Sequence, residues 1–167
     1  MDETSPQTTS NTAKVWSEEK PVRIKNTEKI RCNTFGFYAL NGTSVSHFPK
    51  RSRKEEVCEF LDKVRSENGS RTVVMILDNC PSHKADVVKE RADLLDIRLL
   101  YLPPYSPQFN PIETIWRSVK RRISRSFILC REHMTAIVEE SFVEESAKGS
   151  YAAAWKETFL SNIILNC

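Results

Sequence analysis

The sequence contains no apolar run of about 18 residues, the length expected of a membrane-spanning helix. It also has no basic segment followed by an apolar one at its start, which argues against a secretory signal. Its five cysteines form no CxxC pair, so the pattern favours reduced thiols over a zinc site or a disulfide framework. We therefore expect no membrane contact and a cytoplasmic location.

A strong charge of one sign is also lacking. The chain has 25 Lys and Arg residues against 22 Asp and Glu, a net charge of +3. This balance is only a weak argument for nucleic acid, and the local distribution of charge matters more. With 167 residues, 40% hydrophobic and 28% charged, the chain is long enough for one domain with a core.

The order of elements predicts an α/β fold. Asn41–Gly42 has the composition of a two-residue turn within an antiparallel meander over about 12–48. After it, strand and helix alternate, which favours a mixed sheet flanked by helices. We predict helices over 52–68, 83–95, 111–125, 131–147 and 151–164, and strands over 72–77 and 97–102.

Two acidic residues are the first candidates for chemistry. Asp78 ends an apolar strand, where ligand sites of α/β sheets lie, although an Asp that only forms a turn fits equally well. Glu113 stands in the first turn of a helix, and the alternative is a capping box with Asn110. They are separated by 34 residues, and Asp2 is a third candidate. Carboxylates on separate elements suggest divalent metal and phosphodiester chemistry.

The helix predicted over 111–125 carries the group of cations that we take as the densest basic patch of the chain. Its apolar stripe should face the sheet, and Glu113, Arg117, Lys120 and Ser124 follow an adjacent face. The basic side chains could contact phosphates, with a solvated helix face as the alternative. The stripe is Ile112, Ile115, Trp116, Val119 and Ile123, and the patch is Lys120, Arg121, Arg122 and Arg125.

His83 lies five residues after Asp78. Such a histidine is commonly structural, and here it is also a candidate for contacting phosphate or a metal ligand. The proline-rich loop over 103–111 has restricted φ angles, so it can fix where Glu113 points.

Two motifs resemble a known family. They are Asp-Asn-x-x-x-His over 78–83 and Leu-Pro-Pro-Tyr-Ser-Pro-x-x-Asn-Pro-Ile-Glu-x-x-Trp over 102–116. Together with the 34-residue spacing and Asp2, they resemble the catalytic (DDE) domain of mariner-like insertion-sequence transposases. The resemblance implies a ribonuclease-H-like fold. It also implies a single catalytic domain over 1–167, with a core at about 2–125 and C-terminal helices over 131–164.

The resemblance also implies a function. Asp2, Asp78 and Glu113 would be the catalytic residues and would bind two Mg²⁺ or Mn²⁺ ions. The domain would cleave DNA strands and transfer them between transposon ends and a target, in the nucleoid and as a homodimer. The residues expected to bind DNA are His83, Arg117, Lys120, Arg121, Arg122 and Arg125.

The chain departs from the family at its beginning. Only Met1 precedes Asp2, so we expect the first strand to be largely missing and the chain to be an N-terminally truncated form. The helix-turn-helix region of the family is also not supplied by these residues. The alternative is an inactive fragment that acts only as a DNA- or protein-binding module.

Overall fold

A computed structural model describes residues 1–9, 16–20, 22 and 24–164, the last five by their backbone alone. Five strands and five helices make up this part of the chain. In chain order they are β1 (Asp2–Thr4), β2 (Thr34–Phe37), β3 (Val45–His47), α1 (Lys54–Asn68), β4 (Val73–Leu77), α2 (Asp86–Leu94), β5 (Ile97–Tyr101), α3 (Ile112–Arg125), α4 (Arg131–Ser146) and α5 (Gly149–Ile164).

The strands form an antiparallel trio and a parallel pair. β2 pairs with β1 on one side and with β3 on the other, and Asp2 lies opposite Gly36. β4 pairs in parallel with β5, and α2 connects the two strands. The nitrogen of Met1 donates a hydrogen bond of 2.6 Å to the carbonyl oxygen of Ile76. This bond brings β1 alongside β4, so the acidic start of β1 lies close to the carboxyl end of β4.

The first strand is better formed than we expected from the sequence. Asp2–Thr4 pairs with β2, whereas we expected the first strand to be largely missing. The side chain of Met1 is buried in the core with Phe35, and Thr4 is buried as well. The polar composition of Asp-Glu-Thr concealed this strand, because its stability comes from pairing with the fully buried β2.

The predicted elements after residue 30 are largely confirmed. β2 and β3 form the antiparallel pair that we placed around Asn41–Gly42, and Gly69 ends α1 with a φ of 58°. The earlier part of the meander includes residues 10–15, 21 and 23, which lie outside the described residues. Three of the predicted helix starts differ by two or more residues: α1 begins at Lys54, α2 at Asp86 and α5 at Gly149.

The late start of α2 has a local cause. We predicted a helix over 83–95, but residues 81–84 form a turn in which His83 donates its N–H to the carbonyl of Cys80. The hydroxyl of Ser82 lies 3.1 Å from the Cys80 sulfur and caps no helix. The side chain of His83 is directed toward Asp78, so the turn is built around that contact.

Two apolar clusters stabilise the fold. One joins the strands to α1 and α2, and the other joins α3, α4 and α5. All five residues of the predicted α3 stripe are buried, which confirms that this face packs inward. Among the described residues, the four cysteines are free thiols, as expected, and no helix is long and apolar enough to cross a membrane.

Candidate metal centre

Asp2 is held at the site by α3. Its Oδ2 accepts a hydrogen bond of 3.0 Å from the Nε1 of Trp116, which is itself 1% exposed. Burial and, next, the charge of Glu113 raise the pKa of Asp2 to about 6, and the charge of Asp78 acts in the same direction. Burial, and to a lesser extent the neighbouring carboxylates, thus oppose the ionisation of Asp2.

Asp78 follows the last residue of β4. Its Oδ1 accepts a hydrogen bond of 2.7 Å from the Nδ1 of His83 and one of 3.1 Å from the N–H of Cys80. The second bond is the turn contact that we gave as the alternative to a functional role, so Asp78 forms the turn and also reaches the site. The bond from His83 is the main reason that the pKa of Asp78 is lowered.

Glu113 lies in the first turn of α3 and does not form the capping box. The N–H of Asn110, which a capping box would direct to Glu113, donates instead to the carbonyl of Pro107 at 2.9 Å, and no side chain caps this helix. The side chain of Asn110 is buried and donates to the carbonyl of Met1 at 3.4 Å. Asn110 therefore ties the start of α3 to β1, and the carboxylate of Glu113 is left for the site.

The three acids line one cavity of about 430 Å³. The proline-rich loop forms its opposite wall, where Tyr105 is 99% exposed and has a φ of 56°. A positive φ is uncommon for a tyrosine, so the loop has an unusual backbone conformation at this residue. The other lining residues are Asn79, Cys80, Leu102, Pro103, Pro104, Ser106, Pro107 and Asn110.

The three carboxylates have the oxygen ligands that a hard divalent cation requires, but in this structure their spacing is not that of a metal site. In the described part of the chain, no three His, Cys, Asp or Glu side chains form a group that could hold a metal ion as they stand. One oxygen of Asp2 is bound to Trp116 and one of Asp78 to His83, so both side chains are fixed at the cavity wall. Carboxylate oxygens are the ligands that Mg²⁺ and Mn²⁺ prefer, and a cation would offset the repulsion that raises the pKa of Asp2.

The structure corrects the role that we predicted for His83. The side chain is 1% exposed, and its Nε2 lies 3.1 Å from an Oε1 of Glu3 while its Nδ1 bonds to Asp78. Both ring nitrogens are thus occupied by carboxylates, and His83 cannot contact DNA. It fixes one oxygen of Asp78 by a hydrogen bond, and the other role that we considered, a contact to a metal ligand, stays a prediction. We did not identify Glu3, because an acid next to Asp2 gives no signal in the sequence.

His83 makes a pH-dependent contribution to stability. Burial lowers the pKa of this group, but the hydrogen bonds and charges of Asp78 and Glu3 outweigh it and raise the pKa to about 9. The stabilisation is fully present below the unfolded pKa of about 6.5 and is lost as the pH rises through about 9. We expect the free energy of unfolding in EDTA to fall by about 3 kcal/mol more in the wild type than in His83→Gln between pH 6 and pH 10.

His47 supplies the control for this measurement. Burial and then the charge of Lys63 lower the pKa of His47, so its contribution does not fall as the pH rises. Urea unfolding of His47→Gln should therefore show the same alkaline loss as the wild type. An equal loss in His83→Gln and the wild type would contradict the assignment of a charged His83.

The α3 patch is only partly available to a ligand. The guanidinium of Arg122 bonds to Glu140 at 2.7 Å and to Glu144 at 2.6 Å, so this residue joins α3 to α4. The prediction that Arg122 binds DNA stays a prediction, and in this structure its guanidinium is paired with two carboxylates of α4. Arg117, Arg121 and Arg125 are exposed and Lys120 is half-buried, and their contact with DNA stays a prediction.

These features define the class of protein, an α/β domain with an acidic cavity at the meeting point of β1, β4 and α3. A family model of DDE superfamily endonucleases matches residues 1–135. The chain belongs to this family. A comparison with curated proteins found no match.

Solved structures of similar fold support the class. The catalytic domain of Mos1 mariner transposase is 16% identical with a TM-score of 0.63, covering 93% of this chain and 78% of that chain. The Mos1 transposase paired-end complex with the left transposon end is 17% identical with a TM-score of 0.70, covering 93% and 52%. The Mos1 catalytic domain with raltegravir and Mn is 16% identical with a TM-score of 0.63, covering 76% and 73%. The fold is therefore ribonuclease-H-like, as predicted, and the chain spans about half the length of the Mos1 chain in the paired-end complex.

Proposed function

We propose that this chain is the catalytic domain of a transposase, which cleaves DNA strands and transfers them with divalent metal. The observation that carries the proposal is the convergence of Asp2, Asp78 and Glu113 on one cavity in a chain of the DDE endonuclease family. Solved structures of the Mos1 catalytic domain with Mn and with Mg support the choice of cation. Asp2, Asp78 and Glu113 would hold two such ions.

In this proposal, different residues of the chain have different roles in binding and positioning. Bound there, divalent cations supply Lewis-acid activation of a water or a DNA 3′-hydroxyl and stabilise the leaving oxygen. His83 holds one oxygen of Asp78 and leaves the other for a ligand, and Trp116 does the same for Asp2. The loop that contains Tyr105 forms the wall of the cavity against which a DNA strand would lie.

The partners are part of the proposal. Mos1 structures include a strand transfer complex and a paired-end complex with a transposon end. By this likeness, we propose that the present chain acts on transposon ends and a target DNA, and that two copies act together. Arg117, Lys120, Arg121 and Arg125 would contact phosphates, which positions DNA without reading its sequence.

The test compares Asp78→Asn with Asp86→Asn in a nicking assay, in which the protein acts on supercoiled plasmid DNA in the presence of Mg²⁺. Both changes remove one carboxylate charge, but Asp86 is exposed and its side chain pairs, among the described residues, with Lys89. We expect Asp78→Asn to lose at least about a hundredfold in rate, because it removes a group that acts on the developing charge of the reaction. Asp86→Asn should keep wild-type activity.

Mn²⁺ binding, followed by electron paramagnetic resonance, gives a second measurement. Asp78→Asn should weaken binding, and circular dichroism should show the fold unchanged. Nicking that survives in Asp78→Asn would contradict the proposal. A wild type that binds DNA without nicking it in Mg²⁺ or Mn²⁺ would favour the alternative, an inactive DNA-binding module.

A further inference from the structure

A second cavity, of about 480 Å³, is lined by basic side chains. We call it the basic basin. It lies beyond the end of β1 that is far from Asp2, and none of the described residues that line it is acidic. The lining residues are Arg31, Asn33, Lys50, Arg51, Ser52 and Arg131.

The four cations of the basic basin come from three parts of the chain. Arg31 precedes β2, Lys50 and Arg51 follow β3, and Arg131 is the first residue of α4. All four side chains are exposed. None of them forms a salt bridge with any described residue, in contrast to Arg122 of α3. Four unpaired positive charges around one cavity repel each other, and an anion would relieve this repulsion.

The backbone around the basic basin is held by hydrogen bonds. The side chain of Asn33 donates to the carbonyl of Lys50 at 2.9 Å and accepts from the hydroxyl of Ser5 at 2.9 Å. A guanidinium nitrogen of Arg31 donates to the same hydroxyl at 3.1 Å. These bonds connect the loop after β3 to the end of β1, so the cations are brought together by the fold.

The sequence contained a signal for this surface that we overlooked. Residues 50–54 read Lys-Arg-Ser-Arg-Lys, a denser group of cations than the α3 patch over 120–125. Arg53 and Lys54 are also exposed and extend the positive surface past the basic basin. A single small anion needs only part of such a surface, whereas a chain of phosphates would use all of it.

We propose that the basic basin binds the phosphate backbone of DNA outside the metal centre. The choice of DNA as the anion depends on the proposed function. The guanidiniums of Arg51 and Arg131 can each bind a phosphate in a bidentate manner, and no apolar or aromatic side chain lines the cavity to read a base. The binding is therefore independent of sequence.

The position of the basic basin suits a DNA strand that also reaches the metal centre. Asp2 of β1 pairs with Gly36 of β2. Asn33 lies three residues before Gly36, which is the direction in which the antiparallel β1 runs away from Asp2. At about 3.3 Å per residue, Asn33 and Gly36 are separated by roughly 10 Å along the strand. A short duplex is longer than this, so we propose that DNA held in the basic basin extends toward the carboxylates.

The test measures DNA binding without cleavage. Fluorescence anisotropy of a labelled duplex of about 20 base pairs and arbitrary sequence is followed in EDTA, from about 50 to 200 mM KCl. The variant Arg51→Ala/Arg131→Ala is compared with Arg98→Ala/Lys156→Ala, which removes the same charge from exposed positions elsewhere. Circular dichroism shows whether both variants are folded.

We expect the basin variant to reduce the slope of log K against log [KCl] by about 2, because each phosphate contact contributes about 0.9. The control variant should keep the wild-type slope. An equal change in both variants, an unchanged slope in the basin variant, or no binding of DNA by the wild type would each overturn the proposal.

The result is separate from that of the nicking assay. A basin variant that weakens binding while Asp78→Asn keeps nicking would support the basic basin and contradict the proposed metal chemistry. The opposite pattern, loss of nicking in Asp78→Asn with wild-type binding by the basin variant, would retain the metal centre and remove the basic basin.

Discussion

Glu113→Gln is expected to abolish metal-dependent DNA cleavage while leaving the protein folded. Glutamine keeps the size and the helix propensity of glutamate, and Glu113 neither caps α3 nor forms a salt bridge with a described residue. Its carboxylate instead faces the cavity shared with Asp2 and Asp78. Removing one of three anionic ligands should reduce the nicking rate by about a hundredfold or more and weaken Mn²⁺ binding.

Glu139→Gln is the matched control. Glu139 is exposed on α4, and its replacement makes the same chemical change away from the cavity. It should leave nicking, Mn²⁺ binding and urea unfolding at wild-type values. Wild-type nicking and Mn²⁺ binding in Glu113→Gln would remove Glu113 from the site. A large loss of stability in Glu113→Gln would show that the residue acts mainly on the structure of α3.

Gly36→Ala should cause the largest loss of stability from one added methyl group. A Cβ built at Gly36 lies 2.5 Å from the ring of Trp116 and 2.9 Å from the Cδ1 of Ile112. The ring is rigid and fully buried, so β2 and α3 must move apart. Overpacking of this kind costs about 1–3 kcal/mol, which urea unfolding can measure.

The same change should also disturb the site. Trp116 donates its indole N–H to Asp2, so a displaced ring loosens Asp2 and weakens Mn²⁺ binding. Gly149→Ala is the control, because a Cβ at Gly149, in the first turn of α5, meets nothing within 4 Å. Its stability should stay within about 0.5 kcal/mol of the wild type. A Gly36→Ala protein as stable as Gly149→Ala would contradict the close packing of β2 on α3.

Local sequence patterns predicted the elements well where one strong signal dominated. The spacing of Ile112, Ile115, Trp116, Val119 and Ile123 allowed one orientation of α3, and the structure buries all five. The apolar run over 72–77 was equally clear as a strand. β1 was not predicted, because its residues are polar and their extended conformation depends on pairing with β2.

Contacts between distant residues could not be read from the sequence. In the sequence, Arg122 does not differ from the other cations of α3. In the structure it pairs with Glu140 and Glu144, which lie on α4. The pattern around Asn110 and Glu113 fits a capping box, but Asn110 is used to bind Met1. His83 was noticed from its spacing, whereas its burial between Asp78 and Glu3 depends on the packing of two strands.

Helix α3 positions two of the three acidic side chains at the cavity. Glu113 and Trp116 lie one turn apart on it, and Trp116 holds the side chain of Asp2, whereas Asp78 is attached to β4. The acidic side chains thus depend on both the sheet and α3, and we expect the packing of α3 on the sheet to set the distance between them. If the cavity binds divalent cations as proposed, this packing should also influence which ionic radius fits.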